Sequence, residues 1–190
     1  MAGSETPAAP DTVKILIAGG FGVGKTTMVG SVSEIMPLRT EESLTVAGLG
    51  VDDLAGIEQK RATTVALDFG RITINDHLVL YLFGTPGQQR FWFMWNDLAV
   101  GALGAVVLFD VRRPDSSFAA VDFFERRGIP FVVGVNGFDG KHPYPAEDIR
   151  DALALPADVP VVLCDARDRE SSKDVLIALL DLLIASAARS

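Results

Sequence analysis

Length, composition and charge exclude several classes of protein. The chain has 190 residues, of which 48% are hydrophobic, so we expect one domain with a sizeable core rather than disorder throughout. A formal net charge of −8 repels phosphate backbones and anionic headgroups, which argues against general nucleic-acid binding and electrostatic membrane binding. The single cysteine, Cys164, permits no internal disulfide and suits a reducing setting.

The sequence predicts no direct insertion into a membrane. No apolar run approaches the roughly 20 residues that a spanning helix needs. The first residues, MAGSETPAAPD, are acidic and rich in Pro and Ala, unlike a secretory signal, and neither end carries a lipidation motif. We therefore expect a cytoplasmic protein that reaches a membrane only when a partner recruits it.

The predicted elements alternate between strands and helices. Residues 1–11 are predicted to be a disordered tail, and residues 12–190 a single domain. Strands are predicted at 13–18, 64–74, 77–83, 106–110, 131–135 and 159–163. Helices are predicted at 25–35, after the turn at 84–87, at 115–127 with an Asp-Ser cap and Gly128 at its end, at 146–154 and at 172–188. Residues 36–62 are expected to form a long loop with room for a short strand or helix.

This order of elements predicts a three-layer α/β fold. Apolar strands that alternate with helices indicate a mainly parallel sheet covered on both faces. The hairpin around Asn75-Asp76 adds one antiparallel strand. The expected sheet therefore has six strands, of which one is antiparallel.

A phosphate-binding motif lies between the first strand and the first helix. Gly19-x-x-x-x-Gly24-Lys25-Thr26 matches G-x-x-x-x-G-K-[ST], in which glycines let backbone N–H groups approach phosphate oxygens at a helix N-terminus. Lys25 is predicted to reach the β- and γ-phosphates, and the Thr26 hydroxyl to ligate Mg²⁺. The predicted nucleotide contacts are Gly19, Gly22, Val23, Gly24, Lys25, Thr26 and Thr27. The alternative is a glycine-rich turn that binds nothing.

A second motif follows the hairpin. The segment Phe83-Gly84-Thr85-Pro86-Gly87-Gln88-Gln89-Arg90-Phe91 resembles D-x-x-G-Q-E-R-F of Ras-like small GTPases and so implies the P-loop NTPase fold. The resemblance implies that the Gly87 amide contacts the γ-phosphate and that Gln88 orients the attacking water. Gly84 replaces the family's Asp, which supports Mg²⁺ through water, so weaker metal binding or another acid is expected. The alternative is a plain tight turn.

Two further segments resemble the base-recognition motifs of that superfamily. Asn136-Gly137-Phe138-Asp139 resembles N-K-x-D, which implies that Asp139 accepts from guanine N1–H and the N2 amino group while Asn136 ties loops together. Gly137 stands where a Lys packs over the base, so guanine preference with lower affinity is expected. Cys164-Asp165-Ala166-Arg167 resembles the S-A-K loop, in which the Ala166 amide would read guanine O6 and Arg167 replaces Lys. An Asx turn and an ordinary loop are the alternatives.

The first switch of Ras-like proteins carries a Thr that senses the γ-phosphate through Mg²⁺. Thr63-Thr64 occupies that place, where the second predicted strand begins. Thr64 is preferred because Thr-Val leads directly into the strand, and Thr63 is the alternative. The alternative is that threonine occurs at both positions only because it favours β-strands. Arg61 lies just before them and is a candidate arginine finger in cis, although a solvated surface position is the simpler interpretation.

The resemblance extends to two bacterial branches. The long interval from Lys25 to Thr64, Gly84 in place of Asp, and Pro86 resemble MglA-type GTPases, and Thr-Thr-Val-Ala-Leu-Asp-Phe-Gly resembles the conservon-type GTPases. These families imply a regulatory switch that binds GTP or GDP with Mg²⁺ and hydrolyses GTP slowly, stimulated by partners. Roadblock-type regulators and sensor-kinase-like proteins are the implied partners. The alternatives are an interaction protein without significant hydrolysis and a small P-loop ATPase or kinase.

An aromatic cluster, Phe91-Trp92-Phe93-Met94-Trp95, follows the second motif. Half of it is expected to pack on the sheet, and the remainder to form a partner surface, with complete burial as the alternative. His77 and His142 have no ligand spacing, so a metal role is not expected for them.

Overall fold

The computed structural model describes residues 9–45, 62–138 and 140–189. The strands are β1 Asp11–Gly19, β2 Leu38–Thr45, β3 Ala62–Asn75, β4 Leu78–Gly84, β5 Ala102–Phe109, β6 Phe131–Asn136 and β7 Val161–Cys164. The helices are α1 Lys25–Val32, α2 Trp95–Ala99, α3 Asp115–Arg127, α4 Ala146–Ala152 and α5 Arg169–Ala187, and a 3₁₀ helix spans Gln89–Met94.

The strands form one sheet in the order β2-β3-β4-β1-β5-β6-β7 across the described part of the chain. Strand β1 pairs in parallel with both β4 and β5, and β6 and β7 continue the parallel series. Strand β3 is antiparallel to both of its neighbours, β2 and β4. The predicted fold class is therefore confirmed, and all six predicted strands are present.

The sheet is larger than predicted by one strand. Strand β2 lies at the edge, in the segment for which a long loop was expected, and pairs with β3 from Leu38↔Phe69 to Thr45↔Ala62. It runs in the same direction as β4, so β3 alone runs against the rest. The extra strand does not alter the three-layer architecture.

Two apolar cores lie on the two faces of the sheet, because successive residues of β1 point to opposite sides. Ile15 and Ile17 join α1 and α5 in one core, while Leu16 and Ala18 join α2, α3 and α4 in the other. All four of these β1 side chains are completely buried. Central β1 is thereby held from both faces, and it leads directly into the phosphate-binding motif.

Two helix N-termini differ from the prediction: that of α3 in its capping residue and that of α5 in the residue at which the helix begins. Helix α3 has the predicted bounds and ends at Gly128, whose φ of 62° is left-handed, but its N-cap is Pro114 with no side-chain hydrogen bond, so the Asp-Ser cap was wrong. Helix α5 begins three residues before the predicted Ser172, because the Asp168 carboxylate caps it by accepting from the Ser171 N–H. In the described part of the chain, no helix combines the length and hydropathy needed to cross a membrane.

Candidate functional site

The loop between β1 and α1 has the conformation that its glycines predict. Gly19 and Gly24 have φ of 132° and 110°, which L side chains rarely adopt. A Cβ at Gly19 would lie 2.5 Å from the Leu108 carbonyl oxygen, so the backbone approach to β5 also requires glycine. The loop turns sharply and places the N-terminus of α1 at its end, which is an arrangement that favours an anion.

Lys25 is the buried cation of this loop. Its Nζ donates to the carbonyl oxygens of Gly19 at 2.9 Å and Gly20 at 2.7 Å, and only 9% of the residue is exposed. Burial lowers the pKa of this ammonium from 10.5 to about 8, while the nearby Asp68 carboxylate acts in the opposite direction. This buried positive charge is positioned to bind a negatively charged phosphate group.

A cleft of about 350 Å³ opens beside Lys25. It is lined by residues of the phosphate loop, the start of α1, β3, the turn after β4 and the 3₁₀ helix: Phe21, Gly22, Gly24, Lys25, Thr26, Thr27, Asp68, Thr85, Pro86, Gly87, Gln88 and Phe91. The structure thus brings the first and second predicted motifs to one cavity. Gln88, the predicted water-orienting residue, is half-buried at its wall.

The turn after β4 packs directly on the phosphate loop. A Cβ at Gly87 would lie 2.6 Å from Lys25 Nζ and 2.9 Å from the Gly20 carbonyl, so no side chain fits there. The Thr85 N–H donates to the Ile17 carbonyl at 2.9 Å, which anchors the start of the turn to β1. Glycine at position 87 is therefore a requirement of this contact.

A carboxylate that the sequence analysis did not identify lies in the same cleft. Asp68 of β3 is 8% exposed, and its Oδ2 accepts a hydrogen bond from Thr26 Oγ1 at 2.6 Å. An Asp inside the apolar run Val-Ala-Leu-Asp-Phe is the signal that could have found it, because ionised residues are rarely buried without a partner. Its hydroxyl partner is the predicted Mg²⁺ ligand.

The described residues fit a hard cation at this place. Hydroxyl and carboxylate oxygens are the ligands that Mg²⁺ prefers, and Thr26 and Asp68 bring one of each into the cleft. Within the described ranges, no cluster of three or more His, Cys, Asp or Glu residues offers an all-protein cage. This donor set therefore suits an ion held mainly by phosphate and water, as Mg²⁺ usually is.

Asn136 joins three loops beside a second cavity of about 130 Å³. Its Nδ2 donates to the Val23 carbonyl and its Oδ1 accepts from the Ala166 N–H, each at 2.9 Å, and 5% of the residue is exposed. The predicted tie between loops is present. The Ala166 amide, expected from the resemblance to read a base, is engaged by Asn136 in this structure.

His142 and Arg167 lie close to the two segments that resemble base-recognition motifs. A Cβ at Gly137 would lie 2.5 Å from His142 Nε2, so the imidazole occupies that space. The Arg167 guanidinium forms two hydrogen bonds with Asp165, at 2.9 Å and 2.7 Å, which hold the pKa of that carboxyl at about 2. Asp139, the predicted guanine-reading residue, lies outside the described residues.

The first-switch predictions fall partly outside the described residues. Arg61 lies outside them. The backbone of Thr64 belongs to β3, where it is paired with Ser43, and that of Thr63 with Leu44. Both threonines therefore lie in the strand instead of before it.

The aromatic cluster is mostly core. Phe91 is 7% and Trp95 3% exposed, and Trp92 packs against Trp95 with ring centroids 5.7 Å apart. The Trp95 Nε1–H donates to the Pro86 carbonyl at 3.0 Å, which links α2 to the turn of the second motif. Phe93 is 61% exposed. The expectation that about half the cluster would be exposed therefore overestimates its exposure.

Comparison with known proteins places the chain in a family. A family model described as "Conserved hypothetical ATP binding protein" matches residues 17–186. An uncharacterized protein of Methanocaldococcus jannaschii, MJ1339, is 30% identical over 133 residues, which are 68% of this chain and 72% of that protein.

Solved structures show the same fold at low identity. The cytosolic domain of the T. maritima FeoB iron transporter in a GDP form has a TM-score of 0.63 and 14% identity, over 93% of this chain and 65% of that chain. The FeoB G-domain from Methanococcus jannaschii has a TM-score of 0.60 and 14% identity, over 91% and 98% of the two chains. This chain thus spans less than two thirds of the T. maritima cytosolic domain. The chain belongs to the family described as conserved hypothetical ATP-binding proteins, and its fold is that of a P-loop G domain.

Proposed function

We propose that this protein is a GTP-binding regulatory switch with slow, partner-stimulated hydrolysis. The observation that carries the proposal is the seating of Gly87 on Lys25 and the phosphate loop, where residue 87 has no room for a side chain. That contact brings the turn after β4 to the cation that would meet the terminal phosphates. Binding of a γ-phosphate there would change the turn, which is the behaviour of a switch.

Guanine, rather than adenine, is the proposed base. Asn136 holds the end of β6 against the phosphate loop, beside the smaller cavity. The Asp139 carboxylate matches guanine, whose N1–H and N2 amino group both donate, whereas adenine has no N1–H. The T. maritima FeoB cytosolic domain, solved in a GDP form, has the same fold, which adds support. The family description names ATP, so an ATP-binding ATPase or kinase is the second candidate.

The hydrolysis assigned to the site is attack of water on the γ-phosphate. Gln88 lines the cleft next to Gly87 and would orient that water, while Lys25 and backbone amides stabilise the charge that develops. When bound, Mg²⁺ would neutralise charge on the β- and γ-phosphates, with the Thr26 hydroxyl as a ligand and Thr64 as the proposed switch residue. Pro86 stiffens the turn that carries Gln88, which supports slow unaided turnover.

Regulation by other proteins is part of the proposal. The resemblance to conservon-type and MglA-type GTPases supports roadblock-type and sensor-kinase-like partners in the cytoplasm, with recruitment to a membrane through them. Phe93, exposed just after Gln88, is a suitable contact for such a partner. Single-turnover hydrolysis of GTP, alone and with a candidate regulator, tests this part. Unaided turnover on a scale of seconds would contradict it.

A competition experiment tests the choice of base. Fluorescent GDP bound to the full chain should be displaced by GTP and GDP and hardly by ATP. Asp139→Asn should weaken GDP and improve xanthosine diphosphate, because the Asn amide can donate to the C2 carbonyl that replaces the amino group. Asp148→Asn, on the exposed face of α4, is the matched control and should bind like the original chain. Displacement by ATP as effective as by GTP would favour the second candidate.

A further inference from the structure

The carboxylate of Asp68 enters the cleft from β3, which lies two strands away from β1 and its phosphate loop. In the antiparallel register of β3 and β4, Asp68 lies directly opposite Gly84. Strand β4 in turn lies beside β1, with Ile17 opposite Gly84, so residues 17, 84 and 68 form a row across three strands.

Gly84 and Asp68 share one space. A Cβ at residue 84 would lie 3.0 Å from both the Cβ and the Oδ2 of Asp68, closer than most real Cβ contacts. A carboxylate built at position 84 would therefore compete with that of Asp68. The glycine at 84, which leaves the second motif without its expected acid, is what makes room for the acid on β3.

The Asp68 carboxylate interacts with both Thr26 and Lys25 of the phosphate-binding motif. Its Oδ2 accepts from Thr26 Oγ1 at 2.6 Å, and its charge opposes the effect of burial on Lys25. Because the carboxylate holds the hydroxyl proton, the lone pairs of Thr26 Oγ1 are left for a cation. The carboxylate thus orients the hydroxyl and supplies negative charge next to it.

A second polar side chain of the cleft is buried with its hydrogen bonding incomplete. Thr85 is 3% exposed, and its Oγ1 has no hydrogen-bond partner among the residues that the structure describes. Such an atom is costly unless something binds there. Thr85 lines the same cleft as Asp68, next to Gly84, so it independently indicates a polar occupant.

We propose that Asp68 is the positioning carboxylate for the Mg²⁺ that accompanies the bound nucleotide, in place of the acid missing at position 84. This inference rests on the proposed function only in that a nucleotide must occupy the cleft. It concerns the metal dependence of binding, so it holds whichever base is preferred. Asp68 acts through the Thr26 hydroxyl and the charge of the site, and no chemical step is assigned to it.

The test measures how Mg²⁺ changes the release of nucleotide from the full chain. Release of fluorescent GDP is followed in excess EDTA and in millimolar Mg²⁺. The ratio of the two release rates measures how much Mg²⁺ slows the release of GDP. We expect Mg²⁺ to slow release from the original chain by roughly tenfold or more, and from Asp68→Asn by less than about threefold. Asp76→Asn, in the exposed turn of the same hairpin, is the matched control and should keep the full ratio.

An exchange of the two residues tests the shared space directly. Asp68→Gly combined with Gly84→Asp moves the carboxylate from β3 to the paired position on β4. This double variant should restore most of the ratio between the release rates in EDTA and in Mg²⁺. The electron paramagnetic resonance spectrum of Mn²⁺ with GDP and each variant gives metal affinity without any turnover. If folded Asp68→Asn keeps the release-rate ratio of the original chain and its Mn²⁺ affinity, this inference is overturned while the proposed function stands. If the original chain binds no nucleotide with or without metal, the proposed function falls and this inference with it.

Discussion

Nucleotide binding should depend on pH because Lys25 is buried. Burial lowers the pKa of its ammonium to about 8 in the free protein, even though Asp68 acts in the opposite direction. A phosphate group bound against Lys25 favours the charged form and raises that pKa again. Binding of GDP above pH 8 should therefore take up a proton, and raising the pH through 8 should weaken binding.

The pKa of Lys25 sets the magnitude of this effect. With a value near 8, about one tenth of the free protein has a neutral Lys25 at pH 7 and about nine tenths at pH 9. Proton uptake on binding should rise accordingly, from about 0.1 to about 0.9 per GDP. Affinity should fall about tenfold over the same interval, which corresponds to about 1.4 kcal/mol.

Calorimetric titration with GDP measures both quantities. Runs in two buffers of different ionisation enthalpy give the number of protons taken up at each pH. Lys14→Gln is the control, because burial also lowers the pKa of Lys14 but its Nζ donates to the Val100 carbonyl, away from the cleft. Cys164 does not titrate in this range, since burial raises its pKa to about 12.

Two results bear on the reasoning directly. Proton uptake below about 0.3 at pH 9, with affinity unchanged from pH 7, would refute the link between Lys25 and the phosphates. Asp68→Asn should move the midpoint of the profile to lower pH, because it removes the charge that opposes burial.

The free energy of unfolding of the nucleotide-free chain should change with pH in the opposite direction to GDP affinity. Between about pH 8 and 10.5 the unfolded chain binds more protons than the folded chain, so Lys25 adds up to about 3 kcal/mol of stability as the pH rises.

Four substitutions test other parts of the site. Lys25→Ala should abolish GTP binding in a folded chain, as measured by equilibrium titration; unchanged affinity would contradict the phosphate-loop assignment. Gln88→Leu should remove most single-turnover hydrolysis, and a retained rate would assign the water to another group. Arg61→Ala should leave GTP affinity nearly unchanged and lower partner-stimulated turnover at least about tenfold, or 1.4 kcal/mol; equal rates would return Arg61 to the surface. Asn136→Ala should lower the free energy of unfolding by about 2 kcal/mol in urea, while the exposed Asn75→Ala loses less.

The parts of the fold that follow from local sequence were predictable. A β-branched run before a glycine-rich motif marks β1, the loop and α1, and the segment Asp115–Arg127, which ends at Gly128, marks α3. Strand β2 was not predictable, because Leu-Arg-Thr-Glu-Glu-Ser-Leu-Thr has no alternation of apolar residues. An edge strand has one hydrogen-bonded neighbour and tolerates such a polar sequence.

The part of the site that depends on register was not predictable. The sequence shows that Gly84 lacks a carboxylate, but the replacement, Asp68, meets it only through the pairing of β3 with β4. That pairing shifts near Thr73 and Asn75, an irregularity that alternation alone does not reveal. The same holds for His142, which occupies the space beside Gly137 through the path of a loop.

The hydrogen bond from the Trp95 indole to the Pro86 carbonyl gives the molecule an optical reporter. The sequence contains two tryptophans, and Trp92 packs against Trp95 at 5.7 Å, so both emit from one small region. Indole emission is sensitive to the hydrogen bonding and solvation of the ring nitrogen. A movement of the turn that carries Gly87 would alter the hydrogen bond between Trp95 and the Pro86 carbonyl. The intrinsic fluorescence of the unlabelled chain should therefore follow events at the phosphates in real time.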